Sequence, residues 1–192
     1  MAFVSDSIIP RRLFLDTGTF QAIADCGGYV FGEDPLPHAD DFPSDAVPQI
    51  LRRSDGEDIL DSLREIFTFN DRAHFDWILS SSSLAEIDAA KNVRLSRYAR
   101  DIIQHSEICL TENPPRRFAT TMASFFQGSV FGNLSSKDRN LLLDAAASDR
   151  DHFLTIEKRL PKQAHVILKY VPLVICSPSE LWTKPVPHLS GL

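Results

Sequence analysis

The sequence predicts an α/β fold in three layers, with a central parallel sheet covered by helices on both faces. Three observations point to it. Short apolar runs alternate with segments of helical periodicity along the chain, the pattern of parallel strands joined by crossover helices. The run Leu13-Phe14-Leu15 passes directly into Asp16, Thr17 and Gly18, as a short buried strand does when it ends in a polar turn. The chain has 192 residues, of which 43% are hydrophobic and 24% charged, and this suits one domain with a single real core.

The elements follow in order. Residues 1–10 read as a loose lead-in and residues 12–16 as the first strand. A short helix is expected over 17–25, with Gly27-Gly28 as its stop. Residues 29–54 hold Pro35, Pro37, Pro43 and Pro48 among Asp34, Asp40, Asp41 and Asp45, so they read as an irregular acidic insertion at the surface. Ile59, Leu60, Leu63, Ile66 and Phe67 fall on one face of a helix over 56–69. A second strand is expected over Phe75–Ser80, then a helix from Ser81 to Ala90 and another over 93–105, with Leu95, Tyr98, Ala99, Ile102 and Ile103 on its apolar side. Ile108-Cys109-Leu110 reads as a minor strand ended by Asn113-Pro114-Pro115. The aromatic stretch 117–131 fits no single pattern, and Phe118, Phe125, Phe126 and Phe131 read as core. A helix opened by Ser135-Ser136 runs to about Ser148, a strand follows over His152–Thr155, and a helix over 158–169. Leu173–Cys176 is the last strand, before a short helix at Glu180–Trp182 and a loose tail.

Composition excludes some classes. The formal net charge of −6 gives no global basic field, although catalytic acids would themselves contribute to that charge. No run approaches the length of a membrane-spanning helix, and Asp6 precedes any apolar stretch, against a secretory leader. Cys26, Cys109 and Cys176 are odd in number and share no metal-ligand spacing, so reduced thiols and a cytoplasmic location are expected.

Four acids carry the chemistry. Asp16 ends the first strand, Glu86 lies about a turn into the helix after the second, and Glu157 stands just past the strand at 152–155. In a parallel sheet the carboxyl ends of strands share one edge, where ligands bind. Asp138 begins the helix that returns toward that strand, so its first turn is expected near the same edge. Carboxylates crowded together repel one another, and a hard divalent cation relieves the repulsion. Oxygen donors without a Cys/His set point to Mg²⁺ or Mn²⁺, which support in-line attack on a phosphodiester. Each acid alone also fits a structural role. Ser83-x-x-Glu86 and Ser135-x-x-Asp138 match capping boxes, and Asp16 and Thr155 suit N-caps. Lys91 with Arg94, Arg97 and Arg100, spaced three apart, reads either as a basic stripe for phosphates or as a solvated helix face.

In these motifs the chain resembles the PIN domain, a metal-dependent nuclease fold. The resembling pieces are Leu13-Phe14-Leu15-Asp16-Thr17, Ser82-Ser83-Leu84-Ala85-Glu86-Ile87, Lys137-Asp138-Arg139-Asn140-Leu141-Leu142, Asp151-His152-Phe153-Leu154-Thr155-Ile156-Glu157 and the closing Val174-Ile175-Cys176-Ser177-Pro178-Ser179-Glu180-Leu181. The resemblance implies one PIN-like domain over residues 1–192 and a Mg²⁺- or Mn²⁺-dependent ribonuclease of the toxin or RNA-processing kind. It implies metal-binding and catalytic roles for Asp16, Glu86 and Asp138, with Glu157 in the fourth position. Beside them Thr17 suits either a hydrogen bond to a metal-bound water or phosphate or a capping role, and Arg94, Arg97 and Arg100 are the substrate contacts if their spacing makes a basic stripe. RNA is the implied partner, and an antitoxin-like protein or a second copy of the chain are the assemblies it suggests. A PIN-like module that binds RNA or protein without cleaving is the alternative. Asp16-Thr17-Gly18 also matches the aspartic-protease triplet, but that all-β family needs two facing copies. Haloacid-dehalogenase phosphatases carry a second aspartate where this chain has Gly18.

Overall fold

The computed structural model describes residues 10–36, 38, 42, 46–112, 134–147, 152–169 and 173–183. The lead-in, much of the proline-rich insertion, the aromatic stretch 117–131, Asp151 and the last nine residues lie outside the described residues.

Along the chain the described elements are β1 (Arg12–Leu15), α1 (Thr17–Asp25), α2 (Gly27–Val30), α3 (Ala46–Leu51), α4 (Gly56–Ala73), β2 (Asp76–Ile78), α5 (Ser81–Ala89), α6 (Val93–Glu112), α7 (Ser136–Ala147), β3 (His152–Leu154), α8 (Arg159–Leu168), β4 (Val174–Cys176) and α9 (Pro178–Trp182). The four strands form one sheet in the order β2-β1-β3-β4, and every pairing is parallel. β1 is therefore central, with its two neighbours supplied by chain far downstream of it.

The register sorts the core into rows, because successive strand residues face opposite sides of a sheet. Phe14 aligns with Ile78 and Phe153, and Phe153 with Ile175. These four pack with Leu141, Leu142, Ala145 and Ala146 of α7 and Leu160 and Ile167 of α8. The Phe14 and Phe153 rings stack with centroids 5.4 Å apart. The adjacent row aligns Leu15 with Leu154 and Leu154 with Cys176. It packs with Phe20 and Ile23 of α1, Leu60 and Leu63 of α4, Ile87 of α5, Leu95 and Ala99 of α6 and Leu181 of α9. Each face of the sheet thus has its own apolar cluster under helices, an arrangement compatible with three layers.

Three local expectations are corrected. α1 ends at Asp25 as expected, but Cys26 is its cap, and Gly27-Gly28 opens α2, whose Tyr29 and Val30 are buried. Within 29–54, residues 46–51 are helical, and Pro48 is accommodated because it sits in the first turn, where its missing N–H has no helical partner to lose. Ile108-Cys109-Leu110 belongs to α6, not to a strand. Ser106, the buried residue of the preceding turn, ties that helix to β2: its hydroxyl donates to Ile102 O (2.7 Å) and sits against Trp77 O (3.3 Å).

Cys26 and Cys176 are buried, and burial first, with the Asp25 charge second, pushes the Cys26 thiol up to about 12. Among the described residues no helix is long and apolar enough to cross a membrane.

Candidate active site

The strand order reverses direction at β1. The chain runs outward from β1 to β2, then crosses back to place β3 on the other side. Loops at such a switch point diverge, leaving a crevice outside the carboxyl ends of the strands. Asp16 leaves β1 at this point, and Thr155, Ile156 and Glu157 leave β3 beside it.

Backbone and hydroxyl bonds sew the two exits together. Asp16 N donates to Leu154 O (3.3 Å). The Thr19 hydroxyl donates to Leu154 O (3.3 Å) and accepts from Ile156 N (3.0 Å). Asp16 is the N-cap of α1, its Oδ1 accepting from Thr19 N at 2.6 Å, while its Oδ2 accepts a short hydrogen bond from the Thr155 hydroxyl. Thr155 Oγ1 in turn accepts from Glu157 N (3.1 Å). Asp16 thus caps α1 with one oxygen and is tied to the β3 exit by the other. Its side chain is almost wholly enclosed, at 4% exposed. Burial raises its carboxyl above the usual range; the bonds from Thr155 and Thr19 pull the other way, and the Asp138 charge adds to the rise.

Asp138 and Glu157 lie within electrostatic reach of Asp16, and Glu86 within reach of Glu157. Glu157 is exposed as a residue. Its carboxyl is nonetheless raised, first by partial desolvation and then by the charges of Asp16 and Asp138, with Glu86 contributing less and Arg159 opposing. Asp138, 9% exposed, completes a reciprocal cap with Ser135: Ser135 N donates to Asp138 Oδ2 and Asp138 N to Ser135 Oγ, both at 3.1 Å. Glu86 is half-buried on α5. Ser83 is not its capping partner, because Ser80 caps α5 by accepting from Ser83 N.

Two cations that sequence reading left unassigned sit on these acids. Lys137 Nζ lies 3.3 Å from Glu86 Oε1, and Arg159 Nη2 contacts Asp138 Oδ2. Each pair joins elements far apart in sequence, so no local motif announces it. Beside them Arg53 donates to Ile156 O (2.6 Å) and holds Asp55 with a two-pronged contact, while Lys158 reaches the same Asp55 (3.1 Å). Arg53 holds the Asp55 carboxyl well below its ordinary range. The end of the insertion is thereby pinned to the loop that carries Glu157.

Thr17, next to Asp16, has a buried hydroxyl with no hydrogen-bond partner among the described residues. The expected arginine stripe is divided. Arg94 lines a cleft of about 480 Å³ with Phe31, Tyr98 and Gly27, whereas Arg97 and Arg100 line a shallow depression with Lys91. Steps of three residues fall about 60° short of a full helical turn each, which carries Arg94 and Arg100 to different faces. Arg100 also pairs with Asp88 at 2.7 Å. Asp144, about 240° round the helix from Asp138, lines a separate cleft with Ile103 and Ser106.

The donors at this edge are carboxylate and hydroxyl oxygens, which suit Mg²⁺ or Mn²⁺ in kind. The buried Thr17 hydroxyl without a partner, and two carboxyls raised partly by mutual repulsion, are what such an ion would satisfy. No three acidic, His or Cys side chains among the described residues are gathered to hold an ion, and two of the four acids face cations instead. No family model, curated protein or solved structure matches the chain.

Proposed function

We propose that this chain is a Mg²⁺- or Mn²⁺-dependent ribonuclease with a PIN-like three-layer fold, acting in the cytoplasm on RNA, with an antitoxin-like protein or a second copy as its assembly partner. One observation carries the reading: a buried aspartate at the carboxyl end of the central strand, at the switch point, in electrostatic reach of Asp138 and Glu157, with Glu86 in reach of Glu157. Asp16 and Asp138 are the residues to hold the ion, with Glu86 and Glu157 beside them. When bound, the ion supplies positive charge against a phosphodiester and acidifies a water. Asp16 is pre-set for this by Thr155 and Thr19, which fix its carboxylate plane. Glu157, with its raised carboxyl, is placed to accept or return a proton at the mouth of the site. Thr17 offers a hydroxyl to a phosphate oxygen, and Lys91, Arg97 and Arg100 offer charge to the strand beyond.

A second reading has its own support. Lys137 and Arg159 already neutralise Glu86 and Asp138, as suits a PIN-like module that binds RNA or protein without cutting.

Incubation of mixed structured and single-stranded RNA with Mn²⁺ or Mg²⁺, against EDTA, separates the two. Wild type is expected to cleave only with metal, and Asp16→Asn and Asp138→Asn to lose cleavage while staying folded. Retained RNA binding with no cleavage under either metal would move the assignment to the binding module, and full activity in both variants would remove these residues from the site.

A further inference from the structure

We propose that the cleft walled by α1, α2 and the start of α6 binds a free basic α-amino acid, with L-arginine the best chemical match. The cleft measures about 480 Å³, within the size range of small-molecule sites. None of Asp16, Glu86, Asp138 or Glu157 lines it, so it is separate from the acids at the carboxyl edge. Its apolar wall includes Ile23 and Leu95, both buried core residues. Two aromatic rings stand beside them. Tyr98 is held by stacking on Phe20 (5.2 Å), and Phe31 by an edge contact with Phe67 (5.3 Å). Phe31 is nonetheless 56% exposed, so a ligand in the cleft has apolar surface to cover.

The cleft is bipolar. The carboxyl end of α1 borders one side, and its last turn carries Asp25 and no basic residue. The amino end of α6 borders another, with Arg94 in its first turn and no acid there. A helix is partially negative at its carboxyl end and partially positive at its amino end, so each end reinforces the side chain beside it. Glu33 adds a second carboxylate. Neither the Glu33 carboxylate nor the Arg94 guanidinium has a hydrogen bond or ion pair among the described residues. Just outside, Asp34 covers Gly28 and Arg64 lies beside Gly32, one charge of each sign, while Asp61 is engaged by the Tyr29 hydroxyl. Lys91, Arg97 and Arg100 line a different depression. Two acids against one base leave the cleft itself short of positive charge.

The complement to such a cleft is a net positive ligand with a carboxylate, two cationic groups and an apolar stem. L-Arginine has all of these. Its carboxylate suits the Arg94 fork, and Asn92 can add an amide N–H, since its Oδ1 is already occupied by Leu95 N (3.1 Å). Its guanidinium suits Glu33 and the Phe31 ring together, because this group both pairs with carboxylates and stacks on aromatic faces. The chain holds a guanidinium in this way close by, where Arg64 lies 5.2 Å from the centre of the Tyr29 ring. The α-ammonium answers the charge of Asp25, and the methylene stem packs on Ile23 and Leu95.

Isothermal titration calorimetry on the whole chain tests this with L-arginine, with agmatine, which lacks the carboxylate, and with L-citrulline, which lacks the guanidinium charge. L-Arginine should bind at one site, and the other two should bind about tenfold or more weakly, the order of one hydrogen bond to a charged group. Arg94→Met should weaken L-arginine about tenfold and leave agmatine unchanged, whereas Glu33→Gln should weaken both. Both side chains are exposed, and circular dichroism checks that each variant is folded. Lys162→Met, which removes an exposed lysine from α8 on the other face of the sheet, should change none of the affinities. No binding of L-arginine, equal binding of agmatine or L-citrulline, or wild-type affinity in either cleft variant would overturn the proposal. An equal loss in Lys162→Met would reduce the effect to a general field and overturn it too. A tripeptide ending in arginine that binds as tightly as the free amino acid would overturn the assignment to a free ligand. No RNA or metal enters these titrations, so the ribonuclease reading stands or falls separately.

Discussion

Asp16→Asn should raise stability while it removes function. In the wild type the carboxyl is enclosed, and burial outweighs the bonds from Thr155 and Thr19 in setting its protonation. The effective penalty for enclosing an ion is several kcal/mol, and a hydrogen bond to a charged group returns about 1.5–3 kcal/mol. An amide carries no charge to desolvate, and its oxygen can keep the bond from Thr19 N that now ends on Oδ1. What it gives up is the charge-assisted bond from Thr155. With burial the larger influence, the variant is expected to be more stable at neutral pH by about 1–3 kcal/mol, or roughly 3–10 °C in thermal midpoint for a chain of this length. The sign with pH follows from the direction of the shift. The folded carboxyl titrates above 3.8, so the native state binds this proton more readily than the unfolded chain. Stability is then lost as pH rises from 3.8 through the folded value, and the loss is complete above it. The advantage of Asp16→Asn should therefore be greatest near neutral pH and shrink toward acid. Urea unfolding of both proteins in EDTA, at about pH 7 and about pH 4.5, measures it. A less stable variant at neutral pH, or an advantage that widens on acidification, would refute the account.

Thr155→Val removes both the donor to Asp16 and the acceptor for Glu157 N, and should cost about 2–3 kcal/mol in urea unfolding, with Thr155→Ser restoring most of it. Gly56→Ala places a Cβ only 2.0 Å from the backbone oxygen of Ile50, so the α3–α4 junction must shift; a loss of roughly 1–3 kcal/mol is expected, and no loss would mean the junction yields freely. Phe153→Ala empties the stack against Phe14 at the centre of the α7–α8 face and should cost about 3–5 kcal/mol. In RNA-binding titrations across salt, Arg97→Ala should lower affinity and reduce the salt slope by about one ion, whereas Arg94→Ala, which faces another cleft, should leave the slope unchanged.

The frame of the fold was legible where local pattern and burial agree. Leu13-Phe14-Leu15 before Asp16 is a strand in a sheet covered on both sides, and such strands are apolar throughout. The cap of α7 by Ser135 and Asp138 was legible because its three-residue spacing is set by helix geometry. Other features were hidden for physical reasons. Ile108-Cys109-Leu110 has strand composition, yet it lies in the last turns of a long helix, one face of which is buried earlier through Leu95, Ala99 and Ser106; tertiary packing overrides so short a preference. Gly27-Gly28 and Pro48 are helix breakers in general, tolerated here at first-turn positions. Lys137 and Arg159 could not be assigned from the sequence, since their partners stand 51 and 21 residues away. The arginine spacing was visible, but a spacing of three does not keep residues on one face for long.

The strand order has a consequence for the newly made chain. Thr155, which supports the Asp16 carboxylate, is synthesised 139 residues after it. Until β3 arrives, β1 can pair only with β2 and its other side remains an open edge. The Leu154 carbonyl and the Thr155 hydroxyl that fix the start of α1 are missing for the same interval. A chain that ends between residues 87 and 151 carries Asp16 and Glu86 but lacks β3 and the Thr155 hydroxyl that holds the Asp16 carboxylate.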